Sequence, residues 1–136
     1  MGPRDGESEG NMVFENLARE LLAIGDYVRY VAVGEGQRIT TAQRNGLESP
    51  SASDSDRFEE LFVNPALVTL ARQRGELDCG GLRHIVVAYG NFIQLVMPTR
   101  SGHVSIAVEG GTDVGPVSEA TSHLLRSHGF LQQEIR

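Results

Sequence analysis

The stretch Leu82-Arg83-His84-Ile85-Val86-Val87-Ala88-Tyr89-Gly90-Asn91-Phe92-Ile93-Gln94-Leu95-Val96-Met97 decides the fold. Both halves are rich in β-branched and aromatic residues, which suit a pleated, half-buried surface. Gly90-Asn91 between them is a two-residue hairpin signal of the primed-turn kind. Strands are therefore predicted over 82–89 and 92–97. Thr99-Arg100-Ser101-Gly102 turns the chain again. His103 to Glu109 predicts a third strand, with Val104, Ile106 and Val108 on one face. Connections this short make the strands antiparallel.

Upstream, Cys79-Gly80-Gly81 marks a turn, and the segment before it reads as a helix. Asn64-Pro65 either breaks or restarts that helix, since Asn caps well and Pro suits the first helical position. The spacing predicts a helix from Pro65 to about Arg74 or Leu77, apolar over most of its girth through Leu67, Val68, Leu70, Ala71 and Leu77. Asp56-Arg57-Phe58-Glu59 has capping-box spacing, and Phe58, Leu61 and Phe62 supply the apolar side of the first turns. Asp54, Asp56, Glu59 and Glu60 read as a solvated helix start, where negative charge meets the helix dipole favourably.

Further out, Val13, Phe14, Leu17, Ala18, Leu21 and Leu22 recur at helical spacing, predicting a first helix from about Met12 to Ile24 with Asn11 as cap and Gly25 as left-handed stop. Tyr27 to Val33 reads as a strand, Gly34-Glu35-Gly36 as a hairpin loop, and the Thr-rich Gln37 to Arg44 as an exposed edge strand. Residues 45–55 are loop by composition. Downstream, Thr112 or Asp113 can cap a last helix whose core face is Val117, Ala120, Leu124 and Leu125, with Gly129 after its end.

The whole reads as α/β: a five-stranded antiparallel sheet sandwiched by three helices, in the order helix-strand-strand-helix-strand-strand-strand-helix. Residues 1–10 form a polar tail expected to be mobile, 11–129 a single domain, and 130–136 a C-terminal tail. A chain of 136 residues buries about two-thirds of its extended surface, enough for one core without metal or disulfide.

Charge and composition exclude several function classes. The formal net charge is −6, and its positive side is carried by scattered arginines, so no basic footprint for nucleic acid or anionic membrane is present. No apolar run approaches the ~20 residues needed to span a bilayer. The single Cys79 cannot form an intrachain disulfide, which suits a reducing, cytoplasmic setting. His84, His103, His123 and His128 do not share a face with metal-ligand spacing, and no metal or cofactor is expected. The Gly pairs match no phosphate-binding fingerprint. A Cys79–His84 nucleophile pair lacks the electropositive setting that would activate the thiol.

One feature exceeds what packing requires. A helix lying on one sheet needs a single apolar stripe, yet the 65–77 helix is apolar almost all round. The following strand is apolar on both faces through Ile85, Val86, Val87 and Ala88. If it lies at a sheet edge, both features ask for a partner.

From about residue 12 to 128 the chain resembles the Roadblock (dynein light-chain) family, including bacterial small-GTPase partner proteins. The resemblance is carried by Leu67-Val68-Thr69-Leu70-Ala71-Arg72, by the strands 82–89, 92–97 and 103–108, by Val114-Gly115 leading into the last helix, and by the hairpin Tyr30 to Gln37. It implies a sheet with the middle helix on one face and the first and last on the other. It also implies a homodimer or close heterodimer in which middle helices pack together and the strand after them pairs across. The interface expected is Leu67, Val68, Leu70, Ala71, Ile85, Val86 and Val87. The function implied is a non-catalytic scaffold or regulator of a small Ras-like GTPase or signalling complex. The alternative is a small-ligand sensor with a pocket between the sheet and the first or last helix, lined by Phe14, Tyr30 or Tyr89. An enzyme would instead show His84 or His103 meeting a carboxylate in a cleft.

Overall fold

The computed structural model describes residues 3–44 and 52–131. The sheet has five strands: β1 (Val28–Glu35), β2 (Arg38–Gln43), β3 (Ile85–Ala88), β4 (Phe92–Pro98) and β5 (Gly102–Glu109). Their spatial order is β2-β1-β5-β4-β3, antiparallel throughout. Helix α1 (Pro3–Leu22) precedes the sheet and α4 (Val114–Ser127) follows it. Between β2 and β3 runs one continuous helical stretch: α2 (Ala52–Phe58), a π-helical turn (Glu59–Val63) and α3 (Asn64–Asp78).

The predicted alternation on β5 holds. Val104, Ile106 and Val108 join Val31, Val33, Leu95 and Met97 on one face, packed against Phe14, Leu17 and Leu21 of α1 and Val117 and Leu125 of α4. Residues one step along face the other way, where the middle helical stretch lies. The first and last helices thus share one face and the middle one takes the other.

Several local expectations need correcting. Helix α1 begins at Pro3 rather than near Met12. Once the amphipathic part is formed, each added residue gains one hydrogen bond for one residue fixed, so extension is cheap. Gly25 has no positive φ. Instead, the Arg44 guanidinium caps α1, donating to the carbonyl oxygens of Leu22 at 3.0 Å and Gly25 at 2.7 Å. Gly25 is glycine because the Tyr27 ring lies where a side chain would go.

Asn64-Pro65 opens α3, the second of the two expectations, but with no break in the coil and without Asn64 as its cap. Asn64 keeps right-handed helical angles, and the π turn before it widens the coil where Pro65 cannot donate to the preceding turn. Strand β3 covers only Ile85–Ala88, shorter than the predicted 82–89. Its hairpin closes through the Tyr89 amide donating to the Phe92 carbonyl at 2.9 Å, but neither Gly90 nor Asn91 has the positive φ of a primed turn. Of the expected 45–55 loop, residues 45–51 lie outside the described residues, and α2 starts at Ala52. Of the expected tails, residues 1, 2 and 132–136 likewise lie outside the described residues. Phe130 and Leu131 pack against the core.

Candidate interaction surface

The face of the sheet under the middle helix is polar at its centre. Gln94 on β4 and His103 and Ser105 on β5 are all buried there. They converge on one carboxylate, Glu60, in the π turn. Glu60 Oε1 accepts from His103 Nε2 at 2.7 Å and from Asn64 Nδ2 at 3.1 Å. Glu60 Oε2 accepts from Ser105 Oγ at 2.5 Å and Gln94 Nε2 at 3.5 Å. An unpaired carboxylate buried this completely would cost several kcal/mol. With its lone pairs occupied, it ties helix to sheet in one register. The reading of Glu60 as part of a solvated helix start was therefore wrong: it has 0 % exposure.

This cluster holds a Ser, a His and a Glu, the residue types of a hydrolase triad, in a different arrangement. Ser105 donates to Glu60 rather than to His103, so no base is poised on the hydroxyl. His103 does meet a carboxylate, as an enzyme would require, but it is 4 % exposed and its partner is wholly enclosed.

Val68 packs inward, but much of the apolar surface of this helical stretch faces outward. Phe58, Phe62, Leu70 and Leu77 are 59, 63, 66 and 79 % exposed. The rings of Phe58 and Phe62 stand 5.4 Å apart, making one apolar knob. Strand β3 forms one edge of the sheet, pairing only with β4 among the described residues. The helix runs over β4 and β5 and meets the chain at both ends of β3. At one end the Tyr89 hydroxyl donates to Glu59 Oε2 at 2.9 Å. At the other, buried Gly75 sits so close that an added Cβ would be 3.0 Å from the Gly81 backbone. Tyr89 is exposed at its own end, and Val86 is exposed on the opposite face of the same edge, paired with Leu95.

The seven expected interface residues are not equivalent. Leu70 and Val86 are exposed, while Leu67, Ala71, Ile85 and Val87 are half-buried. Val68 is 6 % exposed, inside its own subunit. Phe58, Phe62 and Leu77 contribute more free apolar surface than most of the residues named from sequence. Two half-buried carboxylates lie at the start of the π turn. Burial, reinforced by the Glu60 charge, raises the Asp56 carboxyl above its ordinary value. Burial also raises Glu59, against the Tyr89 hydrogen bond that lowers it. Cys79 is exposed. Among the described residues no cluster could hold a metal ion, and no helix is long and apolar enough to cross a membrane.

Solved structures share this architecture. A Roadblock/LC7 domain from Streptomyces avermitilis superposes with a TM-score of 0.64 at 14 % identity, covering 83 % of this chain and 92 % of that one. The fold is that of a Roadblock/LC7 domain. An MglB with a tetrameric arrangement matches at TM-score 0.63 and 12 % identity, over 85 % of this chain and 87 % of that one. MglC from Myxococcus xanthus matches at 0.58 and 10 %, over 85 % of this chain and 96 % of that one. Neither a family model nor a curated protein sequence matches. The Roadblock fold here is thus carried by geometry and hydrophobic pattern, with little residue identity behind it.

Proposed function

We propose that this chain is a non-catalytic interaction module that works as a dimer in the cytoplasm, as a scaffold or regulator of a small Ras-like GTPase or signalling complex. The observations that carry the reading are the exposed apolar stripe Phe58, Phe62, Leu70 and Leu77 on the outer side of the middle helix and, in the same subunit, an edge of β3 left unpaired among the described residues. Large exposed apolar patches and open strand edges are liabilities that soluble proteins usually cover. A second copy covers both at once when helix packs on helix and edge pairs with edge. The Roadblock fold supports this assembly, and the tetrameric arrangement of the MglB neighbour is an example of a protein of this fold that assembles. The GTPase half of the proposal rests on the sequence resemblance.

Light scattering on the purified chain at micromolar concentration tests the assembly. A mass near twice 14.8 kDa is expected, and a monomer overturns the dimer reading. Affinity capture from lysate with GTP or GDP present tests the partner. Retention of a small GTPase in a nucleotide-dependent way is expected, and an absence of any GTPase in both states overturns that half.

A further inference from the structure

A cavity of about 180 Å³ opens between the start of the π turn and the sheet. Asp56 and Glu59 form its helical wall, and Tyr30, Phe92, Asn91 and Gln94 are among the residues of its floor and sides. Its position differs from the ligand pocket expected from sequence. It lies under the middle helix rather than under the first or last, and Phe14 is packed into the opposite core.

The charge around this cavity is unbalanced. Asp56, Glu59 and Glu60 place three carboxylates within five residues. Glu60 is fully engaged by His103, Ser105, Asn64 and Gln94. Asp56 and Glu59 have no cation within ion-pair reach among the described residues. Arg29 also lines the cavity, but its guanidinium is drawn to Glu109, 3.9 Å away, and donates to the Asn91 carbonyl at 3.3 Å. The Tyr30 hydroxyl is completely buried and has no hydrogen-bond partner among the described residues. An orphaned polar group beside half-buried carboxylates is a feature that packing alone does not explain.

We propose that this cavity binds the head of a small organic cation, a guanidinium or alkylammonium group, held between the Asp56 and Glu59 carboxylates and against the Phe92 ring. A cation there converts two charges that burial disfavours into charge-assisted hydrogen bonds. Glu59 already accepts from Tyr89 through Oε2, and the Gln94 carboxamide also favours its charged form, but neither brings a positive charge. The Asn91 and Gln94 carboxamides add acceptors, and the aromatic face offers the electron-rich surface that cations prefer. The opening has room for a planar guanidinium with a short alkyl stem. The raised values of both carboxyls agree with a site that lacks its counter-charge.

The test is a titration of isotope-labelled protein followed by NMR, with methylguanidinium, n-butylammonium and the neutral analogue methylurea as probes. Saturable shifts at the amides of Tyr89, Asn91 and Gln94 are expected with at least one cation and not with methylurea. Asp56→Asn and Glu59→Gln should each weaken binding about tenfold, the range of a lost charge-assisted bond. Glu119→Gln, in the separate groove beside α4, should leave it unchanged. Both cavity variants remove mutually repelling charge and should fold, which the amide spectrum itself reports. Equal response to methylurea, unchanged affinity in both variants, or no saturation by either cation overturns the site. Oligomeric state is read separately, so failure here leaves the dimer reading standing.

Discussion

The two faces of this sheet are held by different physics. On one, α1 and α4 bury Phe14, Leu17, Leu21, Val117 and Leu125 against strand residues that are almost all aliphatic. On the other, the middle helix is fastened through Glu60 to His103, Ser105 and Gln94. Hydrophobic burial is non-directional and tolerates sliding. A carboxylate with four donors does not tolerate it. The helix that exposes Phe58, Phe62, Leu70 and Leu77 is the one whose register is fixed by directional bonds, with Val68 turned inward beside them.

The contrast is sharpest where one residue is removed from each face. Glu60→Ala leaves His103, Ser105 and Gln94 buried without their acceptor and should cost about 4 kcal/mol, in the range for breaking a buried pair. Urea unfolding measures it, and amide exchange should show the loss concentrated in the middle helix. A cost under about 1 kcal/mol would mean that the polar network does not dock the helix. Leu17→Ala on the opposite face should cost about 3 kcal/mol through lost transfer energy and a cavity. Its effect should spread over the whole domain, because α1 packs on the central strands. If exchange instead shows the two variants loosening the same elements equally, the faces are not distinct.

How much of this was legible in the sequence follows from the same contrast. The aliphatic face announces itself through period: Val104, Ile106 and Val108 alternate, and Leu17 and Leu21 fall at helical spacing. From such patterns the element order and layers could be read. The polar face has a signal too. Gln94 sits between Ile93 and Leu95, and His103 and Ser105 flank Val104, in strands central enough to be buried twice. What periodicity cannot supply is the partner. Glu60 is 34 to 45 positions away from the strand residues it binds and sits among other acids that stay partly exposed. The π turn was hidden for a related reason. Asn64-Pro65 looks like a helix start, and only the folded backbone shows how the coil accommodates it.

The outer surface of the helix provides the next break point. Leu70→Asp changes a side chain that touches little of its own subunit, so monomer stability should move by less than about 0.5 kcal/mol. Assembly should be lost, because a carboxylate would be buried unpaired at the interface. Val86→Asp on the β3 edge should behave alike, whereas Ile85→Asp, half-buried toward the helix, should also destabilise the monomer. Light scattering and thermal unfolding, read together, separate these outcomes. Both surface variants remaining dimeric would move the interface elsewhere.

The smallest effect expected concerns the two carboxylates that the polar network leaves unsatisfied. Asp56 and Glu59 hold protons more tightly in the folded chain than ordinary carboxyls do, because burial disfavours their charge. Between the ordinary and the raised values the folded state therefore binds more protons than the unfolded one. Stability from these groups rises as pH falls through the raised values, and levels off below the ordinary carboxyl range of about 4. Solvent screens both groups, so the gain should stay below about 1 kcal/mol. It is best read as a difference: the urea midpoint of the native chain minus that of Asp56→Asn/Glu59→Gln, from about pH 7 to about pH 4. That difference should climb toward acid. A flat or falling difference would mean that the network around Glu60 shields its neighbours as well as itself.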